Sequence, residues 1–340
     1  MKYTPKYGVW EMTLQCNMNC LHCGSKAGKD RNNELTLEEC MDVAQQLIDM
    51  GCEKMTFIGG EILTNNFWHK VSRKLVDNGI RTNIITNAYV VGDKQMQQIR
   101  ESGVELVAVS IDGDEETHNR IRGRKDSFAR AKKALKMFKD EGLATSIITT
   151  VMSANIGELE QIYDFTVENG IDVWQLQLAA PMGNASENND LIIQPEQIPY
   201  IIEFIKNKNK LGETILIAGD NVGYCTKDEA YIRSYPGEFG MHYGCLAGLL
   251  VVGIDSVGNI RGCQSLYDDK FIEGNLKENS LKEIWNRKGA FSYNRDFKPD
   301  KLTGNCKGCE KGAVCAGGCR QMSYFTSGEL YNNKYCAYRL

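Results

Sequence analysis

Cys16-Asn17-Met18-Asn19-Cys20-Leu21-His22-Cys23 carries three thiols in a C-x3-C-x2-C run on one short stretch. Residues 7–14 just before it read as a strand entering a core. The cysteines therefore stand past a strand's carboxyl end, where α/β folds place their chemistry. Three thiolates can hold three irons of a four-iron, four-sulfur cluster, whereas a purely electron-carrying cluster takes four. One iron would then stay open, the structural mark of a metal site that binds substrate. The same triplet also suits part of a zinc site, or three small buried hydrophobes.

Outward from this loop the chain alternates. Thr36 and Glu39 fit a capping box, and Leu37, Val43, Ala44, Leu47 and Ile48 recur at helical spacing until Gly51. Strands are expected at 54–58, 82–86, 106–111, 144–152 and 173–178, with helices at 66–78, 94–102, 127–141 and 157–169 between them. Six strand-and-helix units in a row require parallel pairing and crossover connections, so the expected fold is α/β, a partial (β/α)6 barrel. A polar loop at 181–190, a helix at 196–207 and a short strand at 214–218 follow. Beyond Cys245, cysteines and glycines become dense and periodicity weakens, with a hairpin expected around 256–259. The expected domains are a barrel at 1–220, a bridging segment at 221–244 and a cysteine-rich domain at 245–340, built around metal rather than a large apolar core.

The 340 residues are 42% hydrophobic and 25% charged, with a formal net charge of −4. That balance fits a globular protein with a substantial core and gives no basic field for nucleic acid. No membrane span or signal peptide is evident, so a cytoplasmic location is expected. The thirteen cysteines then point to metal centres in a reducing compartment rather than to disulfides.

At Cys16, Cys20 and Cys23 the sequence resembles the radical S-adenosylmethionine (SAM) enzymes, in which the residue before the last cysteine, here His22, lies near the adenine. The resemblance implies that SAM chelates the open iron and is cleaved to a 5′-deoxyadenosyl radical that abstracts hydrogen from an unactivated C–H bond. Gly59-Gly60-Glu61 stands where these enzymes hold the SAM amino group, although the proline usual in fourth place is Ile62 here. Ser110 and Asp112 are similar to the segment that binds the ribose hydroxyls; a plain strand-end turn is the other reading. Arg122, before Gly123, corresponds to the arginine that meets the SAM carboxylate, a partner suited to a guanidinium fork. Asn87 is a further candidate, or the cap of a turn.

Cys245, Gly258, Cys263, Cys306, Cys309, Cys315, Cys319 and Cys336 follow a spacing that resembles the SPASM domain of peptide-modifying radical SAM enzymes. The resemblance implies two auxiliary 4Fe-4S clusters beside the SAM-binding one, three in all. Cys306, Cys309, Cys315 and Cys336 would enclose the distal cluster, and Cys245, Cys263 and Cys319 the proximal one, one ligand short. Cys225 could close the proximal cluster, donate hydrogen to a substrate radical, or be an ordinary buried thiol; the iron could also stay open. Zinc remains the physical rival for this half. Cys40 and Cys52 read as core residues.

The expected activity is radical modification of a ribosomally made precursor peptide by cross-linking or another oxidation, with the auxiliary clusters taking the electron. A reductant such as flavodoxin or ferredoxin is implied. The first strand begins within ten residues, so a separate leader-recognition protein is an expected partner. Peptide epimerisation, sulfatase-type side-chain maturation and a small-molecule substrate such as a tetrapyrrole are the enzymatic alternatives. A non-catalytic iron-sulfur carrier is the alternative from another class.

Overall fold

The computed structural model describes residues 3–233 and 240–340. Seven strands, β1 (Tyr7–Glu11), β2 (Lys54–Ile58), β3 (Arg81–Thr86), β4 (Leu106–Ser110), β5 (Ala144–Val151), β6 (Val173–Leu178) and β7 (Ile215–Ala218), lie side by side in chain order, all parallel. The helices between them are α1 (Leu37–Asp49), α2 (Trp68–Asp77), α3 (Asp93–Ser102), α4 (Glu115–Arg122), α5 (Ser127–Asp140), α6 (Leu159–Glu168) and α7 (Ile198–Leu211). Parallel neighbours need such crossovers, and helices over the sheet bury its strands, which is why β5 reads Ala-Thr-Ser-Ile-Ile-Thr-Thr-Val and is buried from its second residue onward. Thr36 caps α1 with Glu39 in a reciprocal box, and Gly51 leaves the helix in a left-handed conformation at φ 73°.

The expected partial barrel is present, and the sheet is larger than the six expected units. β7 adds a parallel strand at one edge, and β8 (Val251–Ile254) pairs parallel with β1 at the other, Val9 opposite Gly253 and Trp10 opposite Ile254. β9 (Asn259–Arg261) and β10 (Gly274–Asn275) follow antiparallel, so the expected hairpin exists and is the end of one open ten-stranded sheet. The expectation that the cysteine-rich half lacks an apolar core needs correction over residues 251–291. Val252, Ile254, Ile260, Leu266, Phe271, Leu281 and Trp285 belong to the same buried cluster as Trp10, Leu47 and Met55. Gln46 of α1 accepts the Leu281 N–H at 2.6 Å, and the Trp285 indole donates to the Tyr3 carbonyl at 3.2 Å. After Pro299 the chain runs in short turns and one eight-residue helix, Arg320–Ser327, whose Met322 still joins the main core, and Tyr224, Cys315 and Cys336 form a second small cluster. The centre of the expected bridging segment, 234–239, lies outside the described residues.

α4 has no counterpart in the sequence reading. Its eight residues carry too few apolar positions to show a period, and it is made instead by its ends. The Asp114 carboxylate accepts the Thr117 N–H at 2.9 Å, and Gly123 terminates the helix at φ 68°. Among the described residues no helix is long and apolar enough to cross a membrane.

The shared core makes a prediction. Ile254 is fully buried on β8, and Ile254→Ala should cost about 2–5 kcal/mol. Native-state hydrogen exchange should show protection falling in β1 and β2 as well as in β8 and β9. A loss confined to residues beyond 245 would contradict a common core.

Candidate active site

The cysteine loop is seated by backbone against backbone. Gly60 and Glu61 donate their N–H groups to the carbonyls of Thr13 and Gln15, each at 2.8 Å. A Cβ on Gly60 would stand 2.5 Å from the Leu14 and Gln15 oxygens, and one on Gly59 2.9 Å from Thr13 O. These glycines were expected to let backbone approach a ligand; here they let strand β2 approach the loop itself. Across the loop, Cys16 N–H bonds Gly28 O at 2.9 Å and Leu21 N–H bonds Ile121 O at 3.0 Å. Asn184 donates to Cys20 O at 3.0 Å, and the Arg124 Nε–H to Asn17 O at 3.0 Å. Loops after β1, β4 and β6 thus hold the three thiols in place.

Cys20 is buried, Cys16 and Cys23 half-buried. Burial pushes the Cys16 thiol up to about 12, with Glu61 and the other two sulfurs adding to it. Burial also raises Cys20, against the pull of Arg122. Such thiols keep their protons unless a cationic centre displaces them, as coordinated metal does. Among the described residues no three His, Cys, Asp or Glu side chains converge as ligands of one ion do; a four-iron cluster takes its thiolates on separate irons.

Beside the loop lies a buried polar pocket on the ends of β3 and β4. Asn87 donates to Asn17 Oδ1 at 2.8 Å and lies 3.8 Å from Cys16 Sγ. Arg122 Nη1 lies 3.9 Å from Cys20 Sγ, and its Nη2 is 2.6 Å from Asp112 Oδ2. The other Asp112 oxygen accepts the Thr150 N–H at 2.9 Å, and the Asp112 N–H donates to His118 Nδ1 at 3.1 Å. His22 Nε2 stands 3.6 Å from Asp112 Oδ2. Burial alone would raise the Asp112 carboxyl; Arg122, then His22 and His118, outweigh it and hold it below its ordinary value. Burial lowers His22 to about 4, and burial followed by the Arg122 charge lowers His118 to about 3, so both rings are neutral at pH 7.

Several sequence candidates are placed differently from their expected roles. Glu61 is 1% exposed and its carboxylate accepts from Thr86 Oγ1 (2.6 Å), the Leu63 N–H (3.0 Å) and the Asn87 N–H (2.7 Å). About three of its four acceptor positions are filled by protein. Glu61 therefore ties the β2 end to the β3 end and presents Asn87, with about one acceptor position left for an ammonium group. Ile62 opens the short turn Ile62–Thr64 that Glu61 caps, the position a proline would favour, and fills it with a fully buried side chain. Asp112 and Arg122 face each other instead of open space. Ser110 ends β4 opposite Ile148. Asn17, His118 and Arg124 were not singled out from sequence. His118 and Arg122 sit four apart on one face of α4, a signal available only once that helix is known.

In this pocket Asn17 Nδ2, His22 Nδ1, Asp112 Oδ2, His118 Nε2 and Arg122 Nε are buried without a hydrogen-bond partner. Asp112 Oδ2 is nonetheless ion-paired with Arg122 Nη2 at 2.6 Å, so the free capacity lies with the other four atoms. Buried polar groups are nearly always satisfied, so a run of unsatisfied donors and acceptors beside three thiols fits a polar ligand at a metal cluster.

The later cysteines form two sets. Cys245, Cys263 and Cys319 lie within electrostatic reach of one another, near Tyr293; burial, then Cys245, pushes Cys263 up to about 11. Cys306, Cys309, Cys315 and Cys336 line one cavity, and Cys225 lines it with them. Cys225 thus lines the cavity of the distal set, away from Cys245 and Cys263, while Cys319 packs with it against Tyr224, Cys315 and Cys336.

His118 gives a pH prediction. Unfolding exposes a ring that protonates near 6.5, while the folded one does so near 3. The stability held by the neutral ring is complete above pH 6.5 and falls as pH drops, by about 2 kcal/mol at pH 5. Urea titration of metal-free protein at pH 7 and pH 5 reads this difference. The neutral rings of His22 and His242 add losses of their own over the same range, so His118→Gln should shrink the measured difference by about 2 kcal/mol, and an unchanged difference would contradict the assignment.

Residues 10–166 match the profile of the radical SAM superfamily, and residues 245–310 that of SPASM, an iron-sulfur cluster-binding domain. The AdoMet-dependent heme synthase of Methanosarcina barkeri is 29% identical over 100% of this chain and 98% of its own. The mycofactocin maturase MftC of Mycolicibacterium smegmatis is 27% identical over 94% of this chain and 79% of its own. Streptococcus suis SuiB bound to S-adenosylmethionine superposes with a TM-score of 0.77 at 21% identity, over 98% of this chain and 78% of that one. Native anSMEcpe with bound AdoMet gives 0.76 at 19% identity, over 97% and 94%. With both profiles matched in order, and with the thiol loop at the end of β1, the chain is a radical SAM superfamily enzyme with a C-terminal SPASM domain.

Proposed function

We propose that this enzyme cleaves SAM at the Cys16, Cys20 and Cys23 site and uses the radical to oxidise a ribosomally made peptide at an unactivated C–H bond. The observation that carries the reading is the run of buried polar atoms without a hydrogen bond on Asn17, His22, His118 and Arg122 beside three thiols. When bound, SAM at a reduced four-iron cluster supplies a 5′-deoxyadenosyl radical. The three cysteines would hold the cluster and leave one iron open. Arg122, locked beside Cys20 by Asp112, offers a fixed guanidinium to a carboxylate. His22, neutral through burial, suits an uncharged base. Glu61 positions Asn87 against Cys16 and excludes water from the β2 and β3 ends.

Cys245, Cys263 and Cys319, and the set around Cys306, would hold two auxiliary clusters, three in total and about twelve irons per chain. Their chemistry suits a net oxidation, in which an electron leaves the substrate after the hydrogen atom does. The peptide reading is supported by the pairing of this barrel with a SPASM region and by similarity to a mycofactocin maturase. A reductant of flavodoxin or ferredoxin type and a separate recognition protein belong to it. A second reading, oxidation of a haem precursor's side chain, is favoured by the 29% identity with an AdoMet-dependent heme synthase along the whole chain.

Anaerobic turnover of the reconstituted enzyme with SAM and dithionite should release 5′-deoxyadenosine, and Cys20→Ala should abolish it. Adding candidate precursor peptides should give a peptide two hydrogens lighter. A mass loss seen only in a supplied iron porphyrin would move the assignment to the second reading. No deoxyadenosine with a full cluster complement would overturn both.

A further inference from the structure

One cavity in the C-terminal region is lined by five sulfurs, those of Cys225, Cys306, Cys309, Cys315 and Cys336. A four-iron cluster takes four protein thiolates, so one sulfur is in excess. Cys225 and Cys315 are the pair that compete. Cys225 packs against the small cluster of Tyr224, Cys315 and Cys336, and its strongest electrostatic interaction is with Cys315, so the two sulfurs are neighbours in the cavity. Cys306 is held apart from them, accepting the Asn333 N–H at 3.4 Å.

Cys225 reaches this cavity through an unusual backbone. Tyr224 has φ 146° and Cys225 φ 49°, two successive non-glycine residues in a region that L side chains rarely adopt. Tyr224 is fully buried, with its ring 4.7 Å from that of His242. A Cβ on Gly318 would come 3.1 Å from the Tyr224 ring. The packing around Tyr224 thus holds the bend that turns Cys225 inward.

A separate observation points to a sulfur-rich occupant. Asn333 lines the same cavity, is 1% exposed, and its Nδ2–H group makes no well-directed hydrogen bond, although it lies close to the Tyr224 hydroxyl. Its oxygen is already used, accepting the Tyr335 N–H at 2.8 Å. An amide donor without a well-directed hydrogen bond beside clustered thiols fits hydrogen bonding to cluster sulfur, a contact of the kind that orients ligands around metal centres.

We propose that Cys225 is an alternative ligand of the distal cluster, able to take the iron that Cys315 otherwise holds. The exchange is redox-neutral: one iron–sulfur bond to Cys315 breaks, one to Cys225 forms, and the proton of the Cys225 thiol passes to the departing Cys315 thiolate. The corner iron therefore stays ligated when either thiol is lost. This rests on the cluster reading given above, which the wild-type iron content in the same experiment tests by itself.

The experiment is anaerobic reconstitution of Cys225→Ala, Cys315→Ala, the double variant and Cys336→Ala, with iron and sulfide per chain and low-temperature EPR as readouts. Each of the first two should keep the wild-type iron content. The double variant and Cys336→Ala should each lose about a third of the iron, one cluster of three. Loss of a cluster in either Cys225→Ala or Cys315→Ala, or full retention in the double variant, would overturn the proposal. If Cys315→Ala does not fold, Cys315→Ser supplies the second measurement. Cys225 should then resist iodoacetamide in reconstituted Cys315→Ser and react in reconstituted Cys336→Ala. A reactive Cys225 in Cys315→Ser would equally refute it.

Discussion

The close approach of Gly59 and Gly60 to the backbone of Thr13 to Gln15 is the contact on which the catalytic end of this protein depends. It leaves no room for a side chain, since a Cβ at Gly60 would overlap two carbonyl oxygens at 2.5 Å. Two backbone hydrogen bonds replace what side chains would have done. The consequence is that the sheet itself, through the end of β2, holds the stretch that leads into the cysteine loop. Glu61, next in the chain, carries the restraint sideways to Thr86 and Asn87, and so couples the loops after three neighbouring strands.

That restraint sits beside a costly group of charges. Asp112 and Arg122 are both nearly inaccessible, and removing one partner of such a pair would leave a buried charge, a cost of about 3–5 kcal/mol. Pairs of this kind are seldom favourable for stability alone. Here the pair holds a guanidinium 3.9 Å from the Cys20 sulfur with two neutral histidines close by. The unpartnered atoms around it make the pocket an incomplete hydrogen-bond network, one that a polar ligand would complete. A stable core would have been simpler to build from apolar residues, so the arrangement speaks for binding rather than for folding.

The C-terminal region depends on the barrel in a way its composition conceals. β8 extends the parallel sheet beyond β1, and Trp285 and Leu281 lock onto Tyr3 and α1. Cys245 and Cys263 flank this packed hairpin, so the proximal set of thiols is positioned by ordinary apolar burial. The distal set, by contrast, stands on short turns and on the strained Tyr224 and Cys225 backbone. Its geometry rests far more on the metal it would hold.

Cysteine spacing, the six-fold alternation of strand and helix, and the capping box at Thr36 determined the fold class and singled out the candidate cluster residues from sequence alone. They could do so because each is a local pattern: periodicity and short-range spacing survive without knowledge of neighbours. α4 was invisible because eight mostly polar residues have no period, and with it went the link between His118 and Arg122. Glu61 was legible as a site residue but not as a strap, since its partners Thr86 and Asn87 lie a strand away. Only tertiary structure decided that Asp112 and Arg122 face one another, that β8 joins β1, and that Cys225 meets Cys315 across ninety residues of chain. Those outcomes follow from which distant segments pack together, and chain spacing carries no record of that.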